Sequence, residues 1–134
     1  MDKIKVKDFN LEYTLECGQI FRIYKTDGWY NVNAQDKFFK INQIGNQLYF
    51  HGAEKEFIIH FFSLNDNLPK ILNEINKDKY IDKAIKKYRG LRIIKQDPWE
   101  CLISFICSSA SNIPRIKSKL QALSQSFGKK LKLD

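Results

Sequence analysis

Two carboxylates, Asp97 and Glu100, stand three residues apart, a spacing that suits an acid/base pair. Pro98 lies between them, and this changes the reading. Asp at a helix N-cap, Pro at the first helical position and Glu at the third form a helix start: the Asp oxygen accepts an orphan backbone N–H, Pro has none to lose, and Glu reaches back. Capping accounts for both. His51 and His60 have no obvious partners and read as structural or surface residues. Cys17, Cys101 and Cys107 are odd in number and contain no CxxC pair, which argues against a disulfide framework and against zinc. The last two sit in an apolar run, as small hydrophobes do. A reducing, cytoplasmic setting is expected. Walker, HExxH, dinucleotide GxGxxG and GxSxG patterns are all absent. What remains is a polar loop, Ser108-Ser109-Ala110-Ser111-Asn112, followed one turn later by Arg115. Small polar residues let a phosphate backbone come close, a helix start offers it N–H groups, and an Arg there can reach base edges. An ordinary helix connection with a surface Arg fits the same residues.

These groups must be held by the elements around them. Residues 10–51 read as a meander of about four antiparallel strands: Phe21–Tyr24, Trp29–Asn33, Lys37–Ile41 and Gln47–His51. Asp27-Gly28 between two aromatic and β-branched runs is a hairpin signal. Residues 54–88 read as helices that cover one sheet face. Phe57, Ile58, Phe61 and Phe62 recur at helical spacing, Pro69 opens a second segment, and Ile81, Ala84, Ile85 and Tyr88 form a stripe opposite Lys83, Lys86 and Lys87. The helix opened by Asp97 runs through Leu102, Ile103, Phe105 and Ile106, apolar almost all round, as helices buried in a larger body are. The remaining residues are too few to enclose it, so the chain is expected to stop inside a domain. A further helix follows Asn112, with Ile116, Leu120, Leu123 and Phe127 on one face.

Hydrophobic residues make up 43% and aromatics 13% of the 134 residues, enough for a core and against disorder. The net charge of +8 is uneven. Met1–Asp78 carries 10 Lys/Arg against 11 Asp/Glu, whereas Lys79–Asp134 carries 13 against 4. The basic excess belongs to the second part and suggests a polyanionic partner for it; a solvated lysine-rich surface is the alternative. No apolar stretch is long enough to span a membrane, and the opening MDKIKVKDF has no apolar h-region, so it is not expected to be a signal peptide.

Leu15-Glu16-Cys17-Gly18-Gln19-Ile20-Phe21-Arg22 resembles a GQ-x-FR motif, and the stretch Gly90-Leu91-Arg92 through Gln96-Asp97-Pro98-Trp99-Glu100-Cys101 to Phe105-Ile106-Cys107-Ser108-Ser109 resembles the signature of 8-oxoguanine DNA glycosylases. The register continues through Asn112-Ile113, Arg115-Ile116 and Phe127-Gly128, so the resemblance covers essentially the whole chain. It implies an α+β domain over residues 1–89, a twisted antiparallel sheet with covering helices like the TATA-binding protein. Residues 90–134 would then begin a truncated all-α helix-hairpin-helix glycosylase domain. It also implies base-excision repair on double-stranded DNA that carries 8-oxoguanine opposite cytosine. A lysine attacks the sugar, an aspartate assists, and neither metal nor cofactor is needed. Both catalytic residues are expected beyond Asp134, so the chain alone is expected to be inactive.

By the same resemblance, Gly18 offers its carbonyl to the N7–H that oxidation adds to guanine, and Arg115 donates to the orphaned cytosine. Ala110 stands where the family typically has the Asn that fills the gap left by the flipped base. Ser111 also replaces an Asn, whereas Asn112 keeps it. Phe105 and Ile113 are candidate pocket-lining residues, with a core role equally open. A monomer is expected, cytoplasmic in a bacterium or nuclear in a eukaryote. Two rival readings remain: a standalone non-catalytic DNA-binding module, and a purely structural domain of the same origin.

Overall fold

The computed structural model describes residues 1–131. Five antiparallel strands form one sheet in the order β1-β5-β4-β3-β2: β1 (Asp2–Lys5), β2 (Ile23–Thr26), β3 (Trp29–Ala34), β4 (Lys37–Ile44) and β5 (Gln47–His51). Three two-residue turns join β2 to β5, because Thr26 pairs with Trp29, Ala34 with Lys37 and Ile44 with Gln47. At the first turn Asp27 and Gly28 both have positive φ, 51° and 78°, the backbone that matches strand twist in a tight hairpin.

Two elements depart from the sequence reading. The Lys3-Ile4-Lys5 alternation forms β1, which pairs Ile4 with Leu48 and extends the sheet beyond β5. Inside the region read as strand, Leu11–Glu16 is a helix, α1. Asn10 caps it by accepting the Tyr13 amide at 2.8 Å, and Leu11, Thr14 and Leu15 are buried at helical spacing. Phe21 and Arg22 precede β2 and do not belong to it.

The core lies between the sheet and α2 (Lys55–Phe61). Val32, Phe39, Ile41, Leu48 and Phe50 from the strands are fully buried against Ile58, Phe61 and Phe62. Phe39 meets Phe57 and Phe61 edge-on, with both ring centroids 5.9 Å away. Each such ring, fully buried, contributes about 1.5–3 kcal/mol. Helices α3 (Leu68–Ile75) and α4 (Lys79–Lys87) follow; Leu68 is buried, while α4 buries no residue.

Residues 89–97 then strap back over the first unit. Gly90 (φ +92°) passes so near Asn10 that a β-carbon would lie 2.8 Å from the Asn10 nitrogen. Here only glycine fits, for backbone angle and for space. Arg92 is buried. Its guanidinium donates to the carbonyls of Ser63 (2.8 Å), Asp66 (2.9 Å), Lys7 (3.2 Å) and Asp8 (3.2 Å). Burial pulls its pKa down, partly offset by the charges of Asp66 and Asp8. Ile94 completes the core.

Helices α5 (Pro98–Ser108) and α6 (Ile113–Phe127) pack on each other, with Ile116 and Leu120 buried. Asp97 caps α5 by accepting the Glu100 amide at 2.9 Å. The expected reciprocal contact does not form. Glu100 instead accepts from Arg22 (3.3 Å) and from the Gln35 amide (3.0 Å), tying α5 to the sheet. Much of α5 stays open: Trp99, Leu102, Phe105 and Ile106 are all exposed.

Candidate nucleic-acid interface

Gly18 follows α1 with φ +88°, a backbone that any side chain would strain. Its position is fixed by its neighbour. The Gln19 side chain donates to the Arg92 carbonyl and accepts the Ile94 amide, each at 2.8 Å. Gln96 donates to the Gln19 carbonyl, also at 2.8 Å. The Gly-Gln turn is thus clasped to the strap, which leads directly into α5.

Gly18 lines a cleft of about 350 Å³ together with Glu16, Tyr24, Lys25, Tyr30, Ile113 and Lys117, among others. Gly18 and Ile113, distant in sequence, therefore share one surface. Lys25 and Lys117 make the cleft partly basic, and Tyr30 donates to Glu16 at 2.6 Å. Burial first, then that hydrogen bond and the charges of Glu16 and Glu12, push the Tyr30 phenol well above its ordinary value. Sequence reasoning missed Glu16, Lys25 and Tyr30. The Ile113–Lys117 spacing of four was a usable signal for Lys117, since it puts both on one helix face.

The polar loop lies at the top of α6. Asn112 accepts the Arg115 amide at 3.1 Å and so acts as the N-cap. Arg115 is exposed. Ala110 is exposed with φ +47°, a left-handed conformation that Asn tolerates better than Ala. The Ser111 hydroxyl is buried with no partner among the described residues. Phe105 is 74% exposed on α5 and does not line the Gly18 cleft, whereas Ile113 does. A second cleft, of about 590 Å³, runs between Arg22, Gln35 and Asp36 on one side and Trp99, Glu100, Ile103 and Leu120 on the other. Asp97 and Glu100 are occupied by capping and by the Arg22 contact, which leaves neither placed as an acid/base pair. Among the described residues no cluster of His, Cys, Asp and Glu could hold a metal ion, and no helix is long and apolar enough to cross a membrane.

Residues 3–102 match the family of the 8-oxoguanine DNA glycosylase N-terminal domain. The N-glycosylase/DNA lyase of Saccharomyces cerevisiae is 37% identical over 94 residues, 69% of this chain and 23% of that protein. N-glycosylase/DNA lyase OGG1 of Arabidopsis thaliana is 34% identical over 68 residues, 50% of this chain and 19% of that protein. Among solved structures, MBOgg1 in complex with low affinity DNA ligand superposes with a TM-score of 0.90 at 32% identity, covering 98% of this chain and 48% of that one. The Clostridium acetobutylicum 8-oxoguanine glycosylase/lyase in complex with double-stranded DNA containing cytosine opposite 8-oxoguanine gives 0.86 at 29% identity, covering all of this chain and 51% of that one. This α+β chain belongs to the 8-oxoguanine DNA glycosylase N-terminal domain family. It spans about half the length of the solved relatives and matches about a fifth of the curated ones.

Proposed function

We propose that this chain is the N-terminal lesion-recognition and DNA-binding part of an 8-oxoguanine DNA N-glycosylase/AP lyase of base-excision repair. The observation that carries the reading is the cleft where Gly18 and Ile113 meet, with Arg115 exposed on the same helix as Ile113. A flipped base needs such a recess beside the duplex. Normal guanine offers an acceptor at N7, which repels a carbonyl oxygen; the lesion offers N7–H, which the Gly18 carbonyl accepts. One hydrogen bond thus separates lesion from base. Arg115 donates to the cytosine left behind. Ala110, Ser111 and Asn112 approach the gap, where Ala110 fills less of it than an Asn would. Ile113 lines the recess, whereas Phe105 stands on the open side of α5, outside it.

On this reading the attacking lysine and assisting aspartate lie beyond Asp134, in the part of the glycosylase domain that also covers the apolar side of α5. Division at 89/90 places the strap with the helical domain in sequence, although Ile94 packs in the first unit's core. The protein works as a monomer, without metal or cofactor, in the cytoplasm.

The test is borohydride trapping of this chain on an 8-oxoguanine:cytosine duplex, with binding followed in the same sample. Binding without a covalent adduct is expected. An adduct would mean that a lysine of this chain is the nucleophile, and absence of any binding would leave only a structural domain.

A further inference from the structure

The basic excess does not sit only beside the lesion cleft. Within α4, Lys79, Lys83 and Lys87 recur every four residues and form one exposed ridge, with steps of about 6 Å along the helix. Next to it runs a second exposed ridge: Tyr80 (74% exposed), Ala84 and Tyr88 (45% exposed). Two other cations in this region are already neutralised. Lys86 pairs with Asp82 at 2.6 Å, and Arg89 pairs with Asp8 at 3.1 Å. Among the described residues Lys79, Lys83 and Lys87 have no ion-pair partner. Helix electrostatics accounts for Lys87, in the last turn of α4, but not for the ridge as a whole. Cations favour the last turn of a helix, yet Lys79 is the first residue of α4, where the macrodipole disfavours it.

The tyrosine row also touches the element that precedes Gly18. Tyr88 packs edge-on against Tyr13 of α1 with ring centroids 5.5 Å apart, and α1 leads directly to Gly18. Lys79 and Lys87 lie over the Tyr80 and Tyr88 rings, each 5.2 Å from the centroid, and keep their charge without a carboxylate partner. A row of ammonium groups unpaired by carboxylates, phenolic O–H donors beside it and a small Ala84 between the rings suit close approach of a regular polyanion.

We propose that α4 is a second, sequence-independent contact for the backbone of the same duplex, with Lys79, Lys83 and Lys87 each neutralising a phosphate away from the flipped base. The proposal rests on the DNA-binding reading above. It assigns α4 to affinity and leaves lesion choice to the Gly18 cleft.

The test is fluorescence anisotropy of the chain on 8-oxoguanine:cytosine and guanine:cytosine duplexes over a salt series. The variants are Lys79→Ala/Lys83→Ala/Lys87→Ala and a charge-matched control, Lys3→Ala/Lys40→Ala/Lys55→Ala, at exposed positions of the first unit. Alanine favours helix, so the ridge variant keeps its fold, which circular dichroism verifies. Three phosphate contacts contribute about 2.7 to the slope of log affinity against log salt, or about 40-fold between 50 and 200 mM. The ridge variant is expected to lose that part of the slope on both duplexes with an unchanged lesion preference, while the control keeps it. Wild-type binding with the same slope in the ridge variant, or an equal loss in the control, overturns the proposal and leaves the DNA-binding reading intact. No wild-type binding to either duplex overturns both.

Discussion

Gln19 holds Ile94 through a single side chain: its Oε1 accepts the Ile94 amide at 2.8 Å while its Nε2 donates to the Arg92 carbonyl at the same distance. Two backbone groups of the strap thus depend on one amide from the turn that carries Gly18. Removing the side chain leaves a partly buried donor and acceptor unpaired, at a cost of about 1–3 kcal/mol. Gln19→Leu is expected to lower the free energy of unfolding by that amount, read from a lower urea or thermal midpoint. An unchanged midpoint would show that water replaces the clasp without cost.

Burial of Tyr30, reinforced by its hydrogen bond to Glu16, gives an alkaline signature. The folded phenol holds its proton more tightly than the unfolded one, so the stability it supplies is complete below the unfolded value near pH 10. Above that pH the unfolded state loses its proton first, and stability falls as pH rises towards the folded value. Tyr30→Phe should cost about 1 kcal/mol at neutral pH and flatten the decline above about pH 10. Denaturant midpoints over this range provide the check; parallel profiles for the two proteins would contradict the assignment.

Ala110 carries the left-handed φ of +47° with a β-carbon and no polar group. Ala110→Asn should relieve about 0.5 kcal/mol of strain or more and, on the proposed reading, tighten binding to the lesion duplex by filling the gap. Thermal melts read the first effect and anisotropy the second. Greater stability without tighter binding would place residue 110 away from the gap.

Arg115→Ala should leave stability nearly unchanged, because the side chain is exposed and only its backbone amide takes part in the cap. A good base contact is worth about 1–3 kcal/mol of discrimination. The preference for cytosine over adenine opposite the lesion is therefore expected to fall several-fold. Equal losses on both duplexes would reduce Arg115 to a phosphate contact.

Local signals carried much of the architecture. Asp27-Gly28 announced its hairpin, the Asp97-Pro98 cap its helix, and the apolar phase at Phe57–Phe62 the core helix. The misreadings came from longer range. Leu11–Glu16 is short and is helical because Asn10 caps it and Gly90 packs against that cap, a contact invisible to local pattern. Glu100 fits a capping box in sequence, yet Arg22 and the Gln35 amide, brought near by the fold, compete for it successfully. At the site, Gly18 and Arg115 entered through a resemblance. Lys25 and Tyr30 join Glu16 and Gly18 only because the β2–β3 hairpin folds beside α1 and α6.

The central claim is that this chain tells 8-oxoguanine from guanine. The measurement is the ratio of its dissociation constants for two duplexes that differ only at that base, each opposite cytosine, at low salt. One added hydrogen bond of about 0.5–1.5 kcal/mol predicts tighter binding to the lesion duplex by roughly two- to tenfold. Equal affinity for the two duplexes would contradict the account and leave the chain a binder of DNA without a part in recognising damage.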